Sequence, residues 1–433
     1  MKIRWKEKIK SGALQFTLFI SVLIALLLAA IVLLAYTHRY FIEQSKAIVN
    51  NIQLSETGII MLQKHETLSN DTLLPVLKDV REDQSIKIHL SQWGIFEKGF
   101  VQTIHRKKVF TKCVLLGSGI NKEDRPSIYL TENYNPLAVV GNTVVKGKAF
   151  LPQQGIRPGN ISGNSYYGSR LMYGIMDKSD NKLPELKYDY KRKLRQLLKE
   201  YEPLNMQDYI PLGKKSILTN SFKEATKGYY STSEVVLENT TIRGNIIIRS
   251  SQKIIVRATA NLGDIILLAP EIIIDDGVSG NFQAIADKSI RVGQHCRLSY
   301  PTALVLLENE NQVSPPSRQN DIYSNTIFIN KGALVKGTIC YFDEVLQQRD
   351  FKPNICFSEK SELTGEIYCD GNLELKDSSV FGTVYTNYFI SNEGGTVFVN
   401  HLYNCEINSE KLPEAFGGIL FERQNKNVMQ WLY

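Results

Sequence analysis

The chain has 433 residues, of which 43% are hydrophobic and 22% are charged, and its formal net charge is +7. The first ten residues hold five basic side chains and one acid, a net charge of +4, which leaves the remainder only weakly basic. More than half of the chain's net positive charge therefore lies in its first ten residues.

Residues 13–35 form an uncharged apolar run that directly follows the basic side chains Lys2, Arg4, Lys6, Lys8 and Lys10. A helix of this length, at ~1.5 Å per residue, crosses the ~30 Å hydrocarbon core of a bilayer. The positive flank keeps the N-terminus in the cytoplasm. We therefore predict a single pass through the inner (cytoplasmic) membrane, with the chain after Tyr36 in the periplasm or outside the cell, where nucleic acid is disfavoured as a partner.

Three interpretations of this run stay open. A cleaved secretory signal usually has an apolar core of roughly 7–15 residues, shorter than this one, although Ala-x-Ala-like triplets near its end allow cleavage. An uncleaved anchor is the second interpretation. In the third, the leader MKIRWKEKIKSG resembles those of type IV prepilins and pseudopilins, with Gly12 as its last residue, Ala13 as the new N-terminus and Thr17 where that family usually has Glu. This resemblance implies a minor pilin-like subunit.

The region after the membrane is predicted to begin with a helix. We assign residues 1–12 to the leader, 13–36 to the transmembrane helix and 37–84 to a helical stalk, because Phe41, Ile48, Ile52 and Leu54 recur at roughly helical spacing. Residues 85–175 are predicted to be β-rich. Within them, Gly147 and Gly163 lie sixteen residues apart and indicate a first rung or two of the repeat described below.

A helical insertion is predicted over residues 176–229. Its segment 181–204 places Leu186, Tyr190, Leu194, Leu197 and Tyr201 on one face, with Pro184 in the first turn and Pro203 at the end. The opposite face is basic and contains Lys187, Lys191, Arg192, Lys193, Arg195 and Lys199. Such a face is most often a solvated surface, and docking to an acidic partner or to phospholipid head groups is the alternative.

Short apolar segments, each with a glycine near its centre, recur in the C-terminal half. Their glycines are Gly244, Gly263, Gly280, Gly337, Gly365 and Gly382, with spacings of 19, 17, 57, 28 and 17. In a second register, Ile254, Ile272 and Ile290 are each 18 residues apart. A fixed period of β-rich runs separated by Gly, Asn and Asp is typical of stacked coils.

The repeat predicts a mainly β fold in which residues 230–410 form a β-solenoid, a parallel β-helix whose stacked rungs share one core. A sandwich of short antiparallel strands is the alternative. The rungs resemble the short β-solenoids of bactofilin-type polymer-forming proteins, a resemblance that implies self-assembly. Residues 319–326 and 343–354 are interpreted as insertions, and 411–433 as a C-terminal cap or tail.

The candidate catalytic residues are Asp275, Asp276, Arg291 and His295, with Asp264 about half a rung earlier. Carboxylates beside Arg or His on neighbouring rungs are the groups that glycan cleavage needs, and this set distantly resembles that of pectin-degrading β-helix enzymes. The family's Asn-x-Asp run is missing here. The alternative is that Asp275 and Asp276, followed by Gly277, form a turn at a solenoid corner.

Other chemical signatures are missing from the sequence. It contains no phosphate-binding glycine loop, no His-Glu-x-x-His and no Cys-x-x-Cys, and its six histidines are scattered, so we predict no metal site and no cofactor. The six cysteines are Cys113, Cys296, Cys340, Cys356, Cys369 and Cys405. Cys340 and Cys369 hold near-equivalent places in the repeat, either to pair in a disulfide or to fill the core.

Three functions follow from these features. The first is a structural or assembly protein of the cell envelope, whose sharpest form is a minor pilin-like subunit. The second is an envelope module that binds a glycan or another protein along a solenoid face. The third is a glycan-active β-helix enzyme, which requires Asp275, Asp276, Arg291 and His295 to meet in one groove. We predict that the chain associates with the membrane and with other envelope proteins or further copies of itself.

Overall fold

The computed structural model describes residues 11–64, 72–73, 84–105, 108–187, 189–201, 208–213, 216–308, 325–343, 351–422 and 424–432. The basic leader, most of the predicted stalk after residue 64, Pro203 and most of both predicted insertions lie outside the described residues. The chain divides into two compact units. The first comprises Met1–Ile60, Asp71–Ile88 and Val101–Thr111, and the second comprises Met61–Asn70, His89–Phe100 and Lys112–Tyr433.

The described helices are α1 (Ser11–Lys64) and α2 (Tyr190–Glu200), with a short 3-10 helix at Ser409–Lys411. The strands up to α2 are β1 Thr72–Leu73, β2 Gln84–Trp93, β3 Phe96–His105, β4 Lys108–Ser118, β5 Pro126–Leu130, β6 Leu137–Val140, β7 Val144–Lys146, β8 Lys148–Leu151, β9 Ile156–Pro158, β10 Asn160–Ile161, β11 Asn164–Ser165 and β12 Met176–Lys178.

The strands after α2 are β13 Ile217–Asn220, β14 Lys227–Ser231, β15 Val235–Leu237, β16 Thr241–Gly244, β17 Ile246–Ser250, β18 Lys253–Val256, β19 Asn261–Leu268, β20 Glu271–Ile274, β21 Ser279–Ala286, β22 Ser289–Val292, β23 Arg297–Leu307, β24 Thr326–Ile329, β25 Leu334–Phe342, β26 Ile355–Phe357, β27 Glu362–Leu375, β28 Ser379–Glu393, β29 Thr396–Val399, β30 His401–Tyr403, β31 Glu406–Asn408 and β32 Lys426–Trp431. The prediction of a mainly β chain behind an N-terminal apolar helix is confirmed.

Helix α1 is continuous over 54 residues, well past the apolar run. Its sequence contains no proline and, between Gly12 and Gly58, no glycine, so nothing interrupts the backbone hydrogen bonds. Every side chain from Gly12 to Ile42 is exposed. Among the described residues, Gly12–Lys64 is the one helix long and apolar enough to cross a membrane.

An antiparallel sheet runs in the order β1-β2-β3-β4-β32. Two-residue connections join β2 to β3 and β3 to β4, which makes these strands consecutive hairpins. The last strand of the chain, β32, pairs antiparallel with the end of β4. Beside this pair, the Gly119 N–H donates to the Asn425 carbonyl at 2.8 Å. Residues 119–425 therefore leave and rejoin the sheet at one point, as an inserted domain does.

Three long ladders of parallel strands fill this inserted region. The first ladder joins β13, β16 and the starts of β19, β21, β23, β25, β27 and β28. The second ladder joins β14, β17 and the later parts of β19 to β28. The third ladder joins β15, β18, β20, β22, β24, β26 and the ends of β27 and β28. This parallel pairing excludes the sandwich of antiparallel strands.

The ladders share an inner core of aliphatic side chains. Ile254, Ile272 and Ile290, predicted to repeat every 18 residues, pair directly in the third ladder and are fully buried. Gly337, Gly365 and Gly382 also align in one column, whereas Gly263 aligns with Arg243 and Gly280 with Leu262. The glycine repeat is therefore in register only over its last three members.

A second group of buried side chains, the outer core, lies on the outward side of the second ladder. It includes Ile247, Ile266, Ile285, Val305 and Phe342 from the ladder itself. Three other parts of the second unit cover them: helix α2, the turn between β2 and β3, and the segment before β32. Strands buried on both sides read as continuous apolar runs, which explains sequences such as Ile265–Leu268.

The segment predicted to hold the first rungs lies at the other end of the stack. Strand β7 pairs with β31, β5 pairs with the middle of β28, and β12 pairs with β8 beyond them. Residues 126–178 thus follow the last strands of the repeat instead of preceding its first one. These residues precede the repeat in the sequence, but their strands pair with its last strands because the chain after β4 runs to that end of the stack.

The other predicted boundaries also differ from the structure. The described part of residues 176–229 contains the 11-residue helix α2, the strands β12 and β13, and the start of β14. Helix α2 begins at Tyr190, so Pro184 lies before it. Residues 411–433, predicted as a cap or tail, contribute β32 to the antiparallel sheet.

Candidate functional site

The predicted processing site lies at the start of α1. Gly12 and Ala13 are helical, and a Cβ added at Gly12 would meet no atom within 4 Å. The Thr17 hydroxyl donates to the Leu14 carbonyl at 2.9 Å. This bond satisfies the Thr17 hydroxyl within the helix itself, which suits a membrane segment.

Helix α1 packs on its sheet through small and polar side chains. Ala47, Asn51, Ser55 and Ile59 are buried on one face of the helix within the first unit. The Asn51 amide donates to the Lys108 carbonyl at 3.1 Å, and the Thr103 hydroxyl donates to the Asn51 carbonyl at 3.2 Å. The spacing of four residues places this set on one stripe, where small side chains allow close approach of the sheet.

The apolar side chains noticed in the stalk sequence point elsewhere. Phe41 is 68% exposed, Ile48 is 50% exposed and Ile52 is 38% exposed. Val49 and Ile60 are also exposed, at 52% and 51%. The helix beyond the membrane run therefore presents several apolar side chains to the outside, beside charged ones such as Lys46 and Glu56, while a stripe of mostly small side chains packs on the sheet.

Three of the four candidate catalytic residues line one open depression on the outward side of the third ladder. This third-ladder depression has a volume of about 550 Å³, and its lining includes Arg257, Ile273, Asp275, Asp276, Arg291 and Phe328. Strands β20, β22 and β24 position it, because Ile273, Arg291 and Phe328 occupy adjacent places in the ladder register. Their side chains are half-buried.

The charged groups of the depression are engaged with one another. Arg257 Nη1 lies 2.7 Å from Asp275 Oδ2, and Arg291 Nη2 lies 2.7 Å from Glu271 Oε1. Asp276 Oδ1 accepts a hydrogen bond from the Gln294 N–H at 2.6 Å, while Gly277 has φ 74°. Asp276 and Gly277 thus form the turn that their residue types favour. Asp275 and Asp276 do not form a pair of free carboxylates here.

His295 and Asp264 lie away from the depression. His295 occupies a left-handed position, φ 54°, in the next turn, where its ring packs over Gly332. Asp264 Oδ1 accepts from the Asn281 amide at 2.6 Å and from the Gln430 amide at 3.1 Å, at the corner between the first and second ladders. The set proposed for glycan cleavage is therefore not assembled in one groove.

Sequence reasoning missed a buried carboxyl at Glu366. It takes the place that Thr338 and Thr383 hold on the neighbouring strands of the second ladder. Its Oε2 accepts from the Ile419 N–H at 2.8 Å, and burial raises the pKa of this carboxyl to about 7 despite that bond and the nearby Arg125. The available signal was the Glu in SELTGEIYC, where the related segments have Thr.

The Arg125 guanidinium also binds the segment that precedes β32. It donates to the Pro413 carbonyl at 3.1 Å and to the Ile120 carbonyl at 3.1 Å. A small cavity lies between Arg125, Glu366, Thr383 and Phe416. Glu366 and Arg125 together fasten the segment before β32 to the outward side of the second ladder.

The six cysteines are free thiols in the structure, and all but the half-buried Cys356 are buried. Cys340 belongs to the outer core and Cys369 to the inner core, because Cys340 pairs with Tyr368 and Tyr341 pairs with Cys369. A shift of one residue moves a side chain to the other side of a strand. The disulfide considered between these two residues is therefore not formed, and burial raises the pKa of both thiols.

Helix α2 uses its apolar face as expected and engages part of its basic face. Tyr190, Leu194 and Leu198 are buried in the outer core. Lys191 Nζ lies 2.9 Å from Asp370 Oδ2, and Arg192 Nη2 lies 2.7 Å from Asp189 Oδ2. This helix is a cover for the second ladder. Among the described residues, no group of three or more His, Cys, Asp or Glu side chains forms a metal site.

No protein-family model matches the chain. No curated protein matches it in sequence. Among solved structures it is similar to the crystal structure of competence-associated pilin ComZ from Thermus thermophilus, with 9% identity, a TM-score of 0.24, and coverage of 90% of this chain and 94% of that chain. A TM-score of this size does not indicate a shared fold.

Proposed function

We propose that the chain is a structural or assembly protein of the cell envelope, anchored in the inner membrane by α1 with its remaining residues outside the cytoplasm. In its sharpest form it is a minor pilin-like subunit processed between Gly12 and Ala13. The three ladders are then the faces of a β-solenoid, inserted in the chain between β4 and β32.

The observation that carries this proposal is the contrast between the exposed first part of α1 and its second part, which packs on a sheet. The residues up to Ile42 are exposed and mostly apolar, while Ala47, Asn51 and Ser55 pack on the sheet further along the same unbroken helix. A simple membrane anchor does not need a rigid continuation of this kind. The exposed apolar side chains of Phe41, Ile48 and Ile52 support assembly, since apolar surface left exposed along one element marks sites where another protein or a membrane binds.

An enzymatic function has less support. Asp275 is held by Arg257, Asp276 by the backbone of Gln294, and His295 faces Gly332 in a different turn. A general acid and base need to flank a common substrate position. The described groups of the third-ladder depression instead form a surface of satisfied ion pairs, which suits binding better than proton transfer.

The N-terminus of the mature protein tests the proposal. We expect mass spectrometry of membranes from the native host to find a chain that starts at Ala13 with a methylated amine. The variant Gly12→Val should retain the leader, whereas Ala25→Val, at an exposed position of the same helix, should be processed as the wild type is. A wild-type chain starting at Met1 contradicts the pilin-like form and leaves a plain anchor, and a start between residues 30 and 40 contradicts the anchor itself.

A further inference from the structure

We propose that the third-ladder depression binds a neutral glycan chain. The proposal goes beyond an assembly role and does not depend on how the N-terminus is processed, because it uses side chains of the third ladder alone. The depression has an apolar floor, flanking ion pairs that a neutral ligand leaves intact, and an open outward side.

The floor of the depression combines aliphatic and aromatic surface. Ile273 and Phe328 lie two strands apart with Arg291 between them, and both side chains are half-buried. Neighbouring strands are about 4.8 Å apart, so these two side chains are separated by about 10 Å along the ladder. The C–H faces of successive sugar rings fit such a surface, since it removes apolar area from water without requiring a hydrogen bond.

The polar groups of the depression disfavour a charged ligand. The guanidinium groups of Arg257 and Arg291 each lie 2.7 Å from a carboxylate, that of Asp275 or Glu271. An anionic ligand would compete with these carboxylates, and a cationic one with the guanidinium groups. A hydroxyl group both donates and accepts, so a polyol contacts both members of a pair without separating them.

The depression is accessible and long enough for more than one sugar ring. The Arg257 side chain is 50% exposed, Arg291 is 37% exposed and Asp275 is 27% exposed. The lining runs from Arg257, at the end of β18, through β20 and β22 to Phe328 in β24. Its volume of about 550 Å³ lies within the roughly 300–1,000 Å³ of ordinary ligand sites.

The test uses the full chain in detergent micelles and isothermal titration with cellohexaose and chitohexaose as neutral probes, and with a hexagalacturonate as the anionic probe. We expect at least one neutral probe to bind, the anionic probe to bind at least tenfold more weakly, and Phe328→Ala and Arg257→Gln each to weaken neutral binding at least tenfold. Lys331→Gln is the matched control, because it removes a similar cross-strand ion pair, 2.9 Å long with Glu359, outside the depression.

Several results would overturn the proposal. They are no binding of either neutral probe, tighter binding of the anionic one, or loss of binding in Lys331→Gln to the same degree as in the depression variants. Thermal unfolding of each variant separates loss of the site from loss of the fold. If Phe328→Ala unfolds, Arg257→Gln decides, since its side chain is half exposed and contributes little to the core.

Discussion

The second and third ladders come from the same repeated segments, yet their outward sides have opposite environments. In the second ladder, Ile266 and Ile285 point outward and are fully buried under other parts of the chain. In the third ladder, Ile273 and Phe328 point outward and remain half-exposed. Their inward sides share one inner core. The comparison shows which face stabilises the domain and which is left for binding.

The burial patterns of the strands show this difference. Strands of the second ladder carry unbroken apolar runs, such as Ala303–Leu307, because both of their sides are buried. In the third ladder only the burial alternates, because one side is exposed: Lys253–Val256 and Glu271–Ile274 each hold three consecutive apolar residues, of which the middle one faces outward. The apolar run indicates that something covers the second ladder, although it does not identify the cover.

The largest expected effect comes from the same substitution made on the two outward sides. We expect Ile266→Ala to lower the free energy of unfolding by about 2–5 kcal/mol, because it leaves a cavity in the outer core. Ile273→Ala should cost about 1 kcal/mol or less, since its side chain is already partly in water. Urea unfolding of both variants measures the comparison. Equal losses would show that the two ladders are covered alike.

The second prediction concerns the carboxyl of Glu366, which is buried under the segment that precedes β32. Burial raises the pKa of Glu366 to about 7, so the folded chain favours the protonated acid while the unfolded chain ionises near an ordinary glutamate pKa of about 4.3. The stability linked to this group is present below pH about 4.3 and is lost as the pH rises through 7. The loss is on the order of 3 kcal/mol.

Urea titrations between pH 4 and pH 8 measure this effect. Glu366→Gln should remove that part of the pH dependence while retaining an acceptor for the Ile419 N–H. Glu362→Gln is the matched control, because Glu362 is half-exposed on the same strand. A wild-type chain whose stability rises from pH 5 to pH 7 by the same amount as that of Glu366→Gln would contradict the prediction.

The smallest expected effect lies at the corner that leads into the second ladder. Gly365 has φ 156°, and a Cβ there would collide with the Gly337 carbonyl. Gly365→Ala should therefore cost about 1–3 kcal/mol. Gly263→Ala should change stability little, because the nearest atom to its Cβ would be the flexible Arg243 side chain at 3.3 Å. Differential scanning calorimetry compares the two melting temperatures. A larger decrease for Gly263→Ala than for Gly365→Ala would contradict the requirement for glycine at position 365.

The candidate site was only partly predictable. The spacing of Asp275, Asp276 and Arg291 placed them near one another, because the 18-residue period fixes which residues of neighbouring strands align. It could not indicate that Arg257 and Glu271 engage Asp275 and Arg291, since ion pairs depend on side-chain direction. Nor could it show that His295 turns away, because a left-handed residue redirects the chain at that corner.

The sequence by itself determined the apolar helix, the mainly β composition and the register of the third ladder, because hydrophobic period and glycine position are local properties. Only the tertiary structure decided that residues 126–178 follow the last strands of the repeat and that β32 returns to β4. It also decided which outward side α2 covers. These are pairings between segments far apart in the chain, and they depend on the path of the folded backbone, which no local pattern encodes.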